Sequence, residues 1–109
     1  MDLLADDRGR YSLLQYNHEL YMLIVCWGGP QAILNDDIFI KFNTEEGSLF
    51  NLKNNDFLDE FAKRIAGEVE VKRSVIDGKS NYAFLHPRNI ENKQLKSEAL
   101  DAAYRKYQN

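Results

Sequence analysis

The chain of 109 residues has one cysteine, two histidines and two prolines. A single cysteine excludes a disulfide framework and a cysteine metal cluster. Cys26 lies inside an apolar run, where it is expected to pack as a small buried hydrophobe. His18 and His86 are distant in sequence and form no His-x-x-x-His pair, so no metal or cofactor is expected. The longest apolar run, residues 20–27, is far shorter than the roughly 20 residues a membrane helix needs. The start, MDLLADDRGR, is acidic and lacks the basic-then-apolar order of a secretory signal. These absences predict a cytoplasmic protein with no membrane contact. There is no repeat, low-complexity tract or linker, so the whole chain 1–109 is expected to be one domain.

What is present suits a packed core: 44% of residues are hydrophobic, 12% aromatic and 28% charged. Residues 11–16 read as a short strand, with Asn17-His18 as the turn into the next. Residues 19–27, ELYMLIVCW, carry the strongest strand signal. Both alternating sets, Leu20, Met22, Ile24, Cys26 and Tyr21, Leu23, Val25, Trp27, are apolar or aromatic, as in a strand covered on both faces. Gly28-Gly29-Pro30 ends it, with neither the glycine spacing nor the following helix of a phosphate loop. The next strand, to residue 42, is expected to be interrupted or bent at Asn35-Asp36-Asp37, and the short connection makes the pair antiparallel.

Asn55-Asp56 marks a helix start, and Phe57, Leu58, Phe61 and Ile65 form one stripe before Gly67 stops it. Asp59 to Lys63 and Glu60 to Arg64 are i, i+4 pairs. Residues 69–76 and 82–86 read as a hairpin about Asp77-Gly78. Asn89 is expected to cap a last helix reaching about residue 107, with Leu95, Ala99, Leu100, Ala103, Tyr104 and Tyr107 inward. The order β-β-β-α-β-β-α predicts an α+β domain: a mainly antiparallel sheet of about five strands with two helices packed on it.

The net charge of -3 hides an asymmetry, because residues 1–62 hold eleven acids against four bases and residues 63–109 hold ten bases against six acids. Clustered charge orients association with an oppositely charged surface, although such runs are also ordinary solvated faces. Asp36, Asp37, Glu45, Glu46, Asp56, Asp59 and Glu60 fall mostly at strand or helix ends, where carboxylates can share one rim that attracts a basic protein. In the second half Lys72, Arg73, Lys79 and Arg88 accompany Tyr82 and Phe84, a mixture suited to stacking on single-stranded nucleic acid. Against that alternative stand the acidic balance, the missing RNA-binding aromatic motif and the frequency with which such rings fill a core. Nucleophilic catalysis needs a nucleophile, a base and an orienting group together, and no spacing selects Cys26, His86 and Asp36 for those parts. Asp36 and Asp37, as strand neighbours, point to opposite faces. No catalytic residue is therefore assigned.

From residue 19 to residue 74 the layout resembles small immunity proteins of bacterial polymorphic toxin systems, including contact-dependent growth inhibition. The matching stretches are LYMLIVCW, a glycine-containing bend, IFIKFNTEEG, and FLDEFAKRIAG as a short amphipathic helix, about half the chain. The resemblance implies a non-enzymatic cytoplasmic inhibitor that binds a cognate, basic, nuclease-type toxin domain and blocks its active site or substrate path. The partner-binding residues then expected are Asp36, Asp37, Glu45, Glu46 and Asp56, with Trp27 as an aromatic anchor. A homodimer stays open.

Overall fold

In the computed structural model, which describes residues 1–7 and 9–105, strand β3 (Glu19–Gly28) lies at the centre of the molecule. Strands β1 (Asp2–Asp7), β2 (Tyr11–Tyr16) and β4 (Leu34–Lys41) join it in one antiparallel sheet of order β1-β2-β3-β4. Asn17 and His18 both take positive φ, 51° and 65°, the left-handed pair that closes a two-residue hairpin between β2 and β3.

The two-sided apolar pattern of β3 is matched by two cores. On one face Met22, Ile24 and Cys26, with Leu13, Ile38 and Ile40 beside them, pack on Phe57, Leu58, Phe61 and Ile65 of helix α2 (Asn55–Glu68). On the other face Tyr21 and Leu23, with Leu14 and Phe39, meet Ala99 and Ala103 of helix α3 (Lys93–Tyr104). Small residues on α3 let that helix approach closely, and Tyr21 stacks on Phe39 with ring centroids 5.4 Å apart. Cys26 is fully buried, as its place in the run implied. Burial, with the charges of Asp37 and Asp36 adding to it, pushes its thiol up to about 11.

The α+β class and the antiparallel pairing agree with the sequence, but the described residues hold six strands and three helices. β1 is additional: an edge strand with three acids in six residues has no alternation to betray it. Helix α1 (Thr44–Lys53) is additional too. Its apolar residues Leu49, Phe50 and Leu52 form no stripe, and Leu52 is exposed. What starts it is a reciprocal cap: Asn43 Oδ1 accepts Glu46 N–H at 2.8 Å while Glu46 Oε1 accepts Asn43 N–H at 2.9 Å. Asn54, at φ 52°, separates α1 from α2.

β4 runs unbroken through Asn35-Asp36-Asp37, where an interruption or a bend was expected, because Trp27 and Gly28 at the end of β3 pair with Asn35 and Leu34. α2 continues through Gly67 to Glu68. Two of its charges, expected to pair along the helix, reach other elements instead. Asp59 Oδ1 accepts the Tyr11 hydroxyl at 3.0 Å and lies 3.4 Å from Arg10, and Arg64 lies 3.6 Å from Glu46. α3 is capped by Asn92, which accepts Leu95 N–H at 3.0 Å, and not by Asn89. Tyr107 lies outside the described residues.

Strands β5 (Glu70–Ile76) and β6 (Lys79–Leu85) form a separate two-stranded ribbon. Phe84 anchors it in the α2-side core, and Val71 packs against the same core. The ribbon rests on Gly28, where a Cβ would stand 2.6 Å from Val71 Cγ2 and 3.2 Å from Phe84. A side chain at residue 28 would have to displace Val71 and Phe84 from their seat on β3. No helix among the described residues is long and apolar enough to cross a membrane.

Candidate functional site

β2 accompanies β3 as far as Ile24, opposite Tyr11, and Val25 N–H still donates to Arg10 O at 2.9 Å; Cys26 to Gly28 then run on with β4 as their strand partner. Trp27 stands on this projecting end and is 56% exposed, walling a shallow groove with Arg10, Ala62 and Lys63. The chain then turns through Gly29, Gln31 and Ala32, all with positive φ at 74°, 58° and 54°. The two L-residues among them each carry about 1 kcal/mol of backbone strain. Ala32 N–H to Gly29 O at 3.1 Å holds the turn. Beyond it Ile33 is 64% exposed and Leu34 is also exposed. One end of the sheet thus presents a tryptophan and two branched aliphatics on a strained connection, with the Asp36 carboxylate just beyond.

The five acids expected to line one rim do not share one. Asp36 and Asp37 stand near the start of β4, whereas Glu45 and Glu46 follow its end. Asp37 and Lys41 alone are four residues apart, about 13 Å at the rise of a strand. Asp56 is exposed in the first turn of α2. Glu46 is not on the surface: its side chain is 8% exposed and both its oxygens accept from Arg88, each at 2.6 Å. Burial alone would raise its pKa. The Arg88 and Asn43 hydrogen bonds and the charges of Arg88 and Arg64 outweigh that and hold the carboxyl below the usual range. Asp37 shows the reverse balance, with burial and the neighbouring Asp36 raising its pKa against the pull of Lys96 and Tyr104.

The outer edge of β4 is occupied by residues that sequence reasoning passed over. Asn89 Oδ1 accepts Phe39 N–H at 2.9 Å, and Ile90 N–H donates to Phe39 O at 2.7 Å. Lys96 Nζ donates to Asp37 O at 2.6 Å, Arg88 Nη2 donates to Lys41 O at 2.9 Å, and Asp36 Oδ1 accepts Asp37 N–H at 2.8 Å. Closing an edge in this way prevents strand addition by another chain. Apart from the adjacent Asp36–Asp37 bond, the partners lie some fifty to sixty residues apart along the chain, so nothing local signals them.

The basic second half is dispersed in the same manner. Arg88 is committed to Glu46, Arg73 donates to Ser80 Oγ at 2.9 Å, Phe84 is buried and Tyr82 packs against the core. Lys72 and Lys79 remain exposed on the ribbon, whereas the Phe84 ring is buried and that of Tyr82 partly so. His86, with a buried side chain, accepts Arg88 N–H through Nδ1 at 3.1 Å, so its proton sits on Nε2 and is shared with Glu68 Oε1 at 2.9 Å. Glu68, Glu70 and Glu91 line a groove with Leu85 and Pro87 beside this histidine, a convergence of acids that the sequence did not announce. No family model, curated protein or solved structure matches the chain.

Proposed function

We propose that the chain is a non-enzymatic cytoplasmic inhibitor of the immunity type, which docks on a cognate toxin domain through the projecting end of β3 and β4. The observation that supports this reading is the exposed Trp27 at the end of β3, followed by exposed Ile33 and Leu34 across a connection that holds Gln31 and Ala32 at positive φ. An exposed aromatic among aliphatics is the composition of an interface centre, and strain of this kind is retained where surrounding structure fixes it for a task. Asp36 beside the apolar group favours a basic partner and excludes an acidic one. The proposed contact surface is accordingly Trp27, Ile33, Leu34 and Asp36, with Asp37, Glu45 and Asp56 contributing only to the long-range field and Glu46 to none of it.

The test compares capture from the native cell by the wild-type chain and by Trp27→Ala. The partner held by the wild type should bind the variant about tenfold or more weakly, as loss of an anchor residue does. Trp27 is the only tryptophan, so its emission should shift to the blue in the complex. The purified partner should lose its toxic activity at one equivalent of the chain. Equal binding of Trp27→Ala would remove this surface from the interface, and a partner that stays active in the complex would end the inhibitor reading.

A further inference from the structure

The molecule closes the outer edge of β4 group by group and leaves that of β5 bare. Asp77 and Gly78 take φ of 52° and 74°, a two-residue turn of the left-handed kind closed by the pair Ile76 and Lys79. The closing pair of such a turn exchanges both backbone hydrogen bonds, and the pattern alternates from there. Glu70, Lys72, Ser74 and Ile76 therefore direct their backbone groups to β6, while Val71, Arg73 and Val75 direct theirs outward. The other edge of the ribbon is turned to the body, for Ser80, Tyr82 and Phe84 of β6 share a groove with Leu34 and Asn35. Among the described residues no strand lies beside β5 on its outer side. Val75 and Ile76 near the tip are 62% and 59% exposed. A two-stranded ribbon is marginal in water unless more strands or a helix cover it.

We propose that β5 pairs with β5 of a second copy, antiparallel about a two-fold axis through Ser74, to give a four-stranded sheet in the order β6-β5-β5-β6. The register follows from charge and strand length, since an axis through Val75 would spend Arg73 on Asp77, which lies beyond β5 in the turn. An axis through Arg73 would place Arg73 against itself, and an axis through Lys72 would place Lys72 against itself; like charges directly opposite are unfavourable. With the axis through Ser74, Arg73 faces Val75 of the second copy, Lys72 faces Ile76, and Arg73 lies diagonal to Asp77 on the same face of the sheet. Outward N–H and C=O groups of Arg73 and Val75 then satisfy one another, and both exposed aliphatics gain a neighbour. The contact is isologous and closes at two copies. It is smaller than the roughly 1,600 Å² of a standard interface, so the dimer is weak and depends on concentration.

Cross-linking tests both the dimer and its register. Ser74 sits on the axis at a position without backbone bonds between the copies, where opposed Cα atoms are about 4.5 Å apart, inside the disulfide range. Ile76 is opposite Lys72, and its own counterpart is about 13 Å away along the sheet. Under mild oxidation Ser74→Cys should form a disulfide-linked dimer and Ile76→Cys should not; Cys26 is buried and takes no part. Val75→Lys, which sets a lysine against Arg73 twice over, should weaken association in sedimentation experiments about tenfold. Equal cross-linking of the two cysteine variants, or a wild-type chain that sediments as a monomer at every concentration, would overturn the proposal. The readouts do not involve the Trp27 surface, so the two readings stand or fall separately.

Discussion

At the start of β4, Asp36 and Asp37 share one lysine, Lys96, which lies 3.7 Å from Asp36 and spends its best hydrogen bond on the Asp37 carbonyl. Just past its end, Glu46 is gripped by two guanidinium hydrogen bonds from Arg88, closes the cap of α1 and has Arg64 nearby, while Glu45 beside it points to solvent. Two pairs of adjacent carboxylates, alike in sequence, thus have opposite electrostatic histories. Desolvation acts on Glu46 and Asp37 alike, and the partners decide the sign. A planar guanidinium satisfies both carboxylate oxygens at once, whereas a single ammonium used mainly on a backbone carbonyl leaves Asp37 underpaid.

Substitutions at these two places should separate them. The largest effect belongs to Glu46→Ala, which breaks the Arg88 pair, half-buried on the arginine side, and removes the reciprocal cap. A loss of about 3 kcal/mol in urea unfolding is expected, and a loss below about 1 kcal/mol would mean that the two ends are not different in kind. The pH dependence comes next. A carboxyl whose folded pKa is depressed contributes stability above its ordinary value of 4.5 that is lost as the pH falls through the folded pKa. For Asp37 the folded pKa is raised from 3.8, so its contribution is present at low pH and lost as the pH rises through the folded value. Glu46→Gln should therefore flatten the acid limb of a stability profile, and Asp37→Asn should steepen it.

At neutral pH Asp37→Asn should leave stability unchanged or raise it by less than about 1 kcal/mol, the gain being screened by the partial exposure of the group. A clear loss in thermal unfolding would show that Lys96 compensates Asp37 more fully than its geometry suggests. Trp27→Ala should have the smallest effect on folding, about 0.5 kcal/mol or less for a side chain mostly in water, while having the largest on partner binding. A destabilisation of 2 kcal/mol or more would move Trp27 from interface to core.

How far the fold could be read from the sequence depended on whether an element's neighbours leave a mark on its own residues. β3 was legible because two buried faces demand two apolar sets, and α2 because one buried face demands one stripe. The ribbon was legible from Asp77-Gly78, which takes a backbone conformation that few other dipeptides accept. β1 and α1 were not, since one is an acidic edge strand and the other an unstriped helix held by its cap and by Leu49 and Phe50 against the core. At the candidate site the exposure of Trp27 was similarly hidden. Its place in an apolar strand was visible, but not that β2 ends one turn of the pleat too early to cover it.

The sequence by itself determined the α+β class, the central strand, the amphipathic helix, the hairpin turn and the burial of Cys26. Each of these is dictated by periodicity or by the conformational limits of a few adjacent residues. Only the tertiary structure decided that Glu46 faces Arg88 at a separation of 42 residues, that Asn89 and Lys96 shut the edge of β4, and that the carboxylates of the first half stand apart. A charge is placed by the partner that compensates its loss of water, and that partner is chosen by the path of the chain in space.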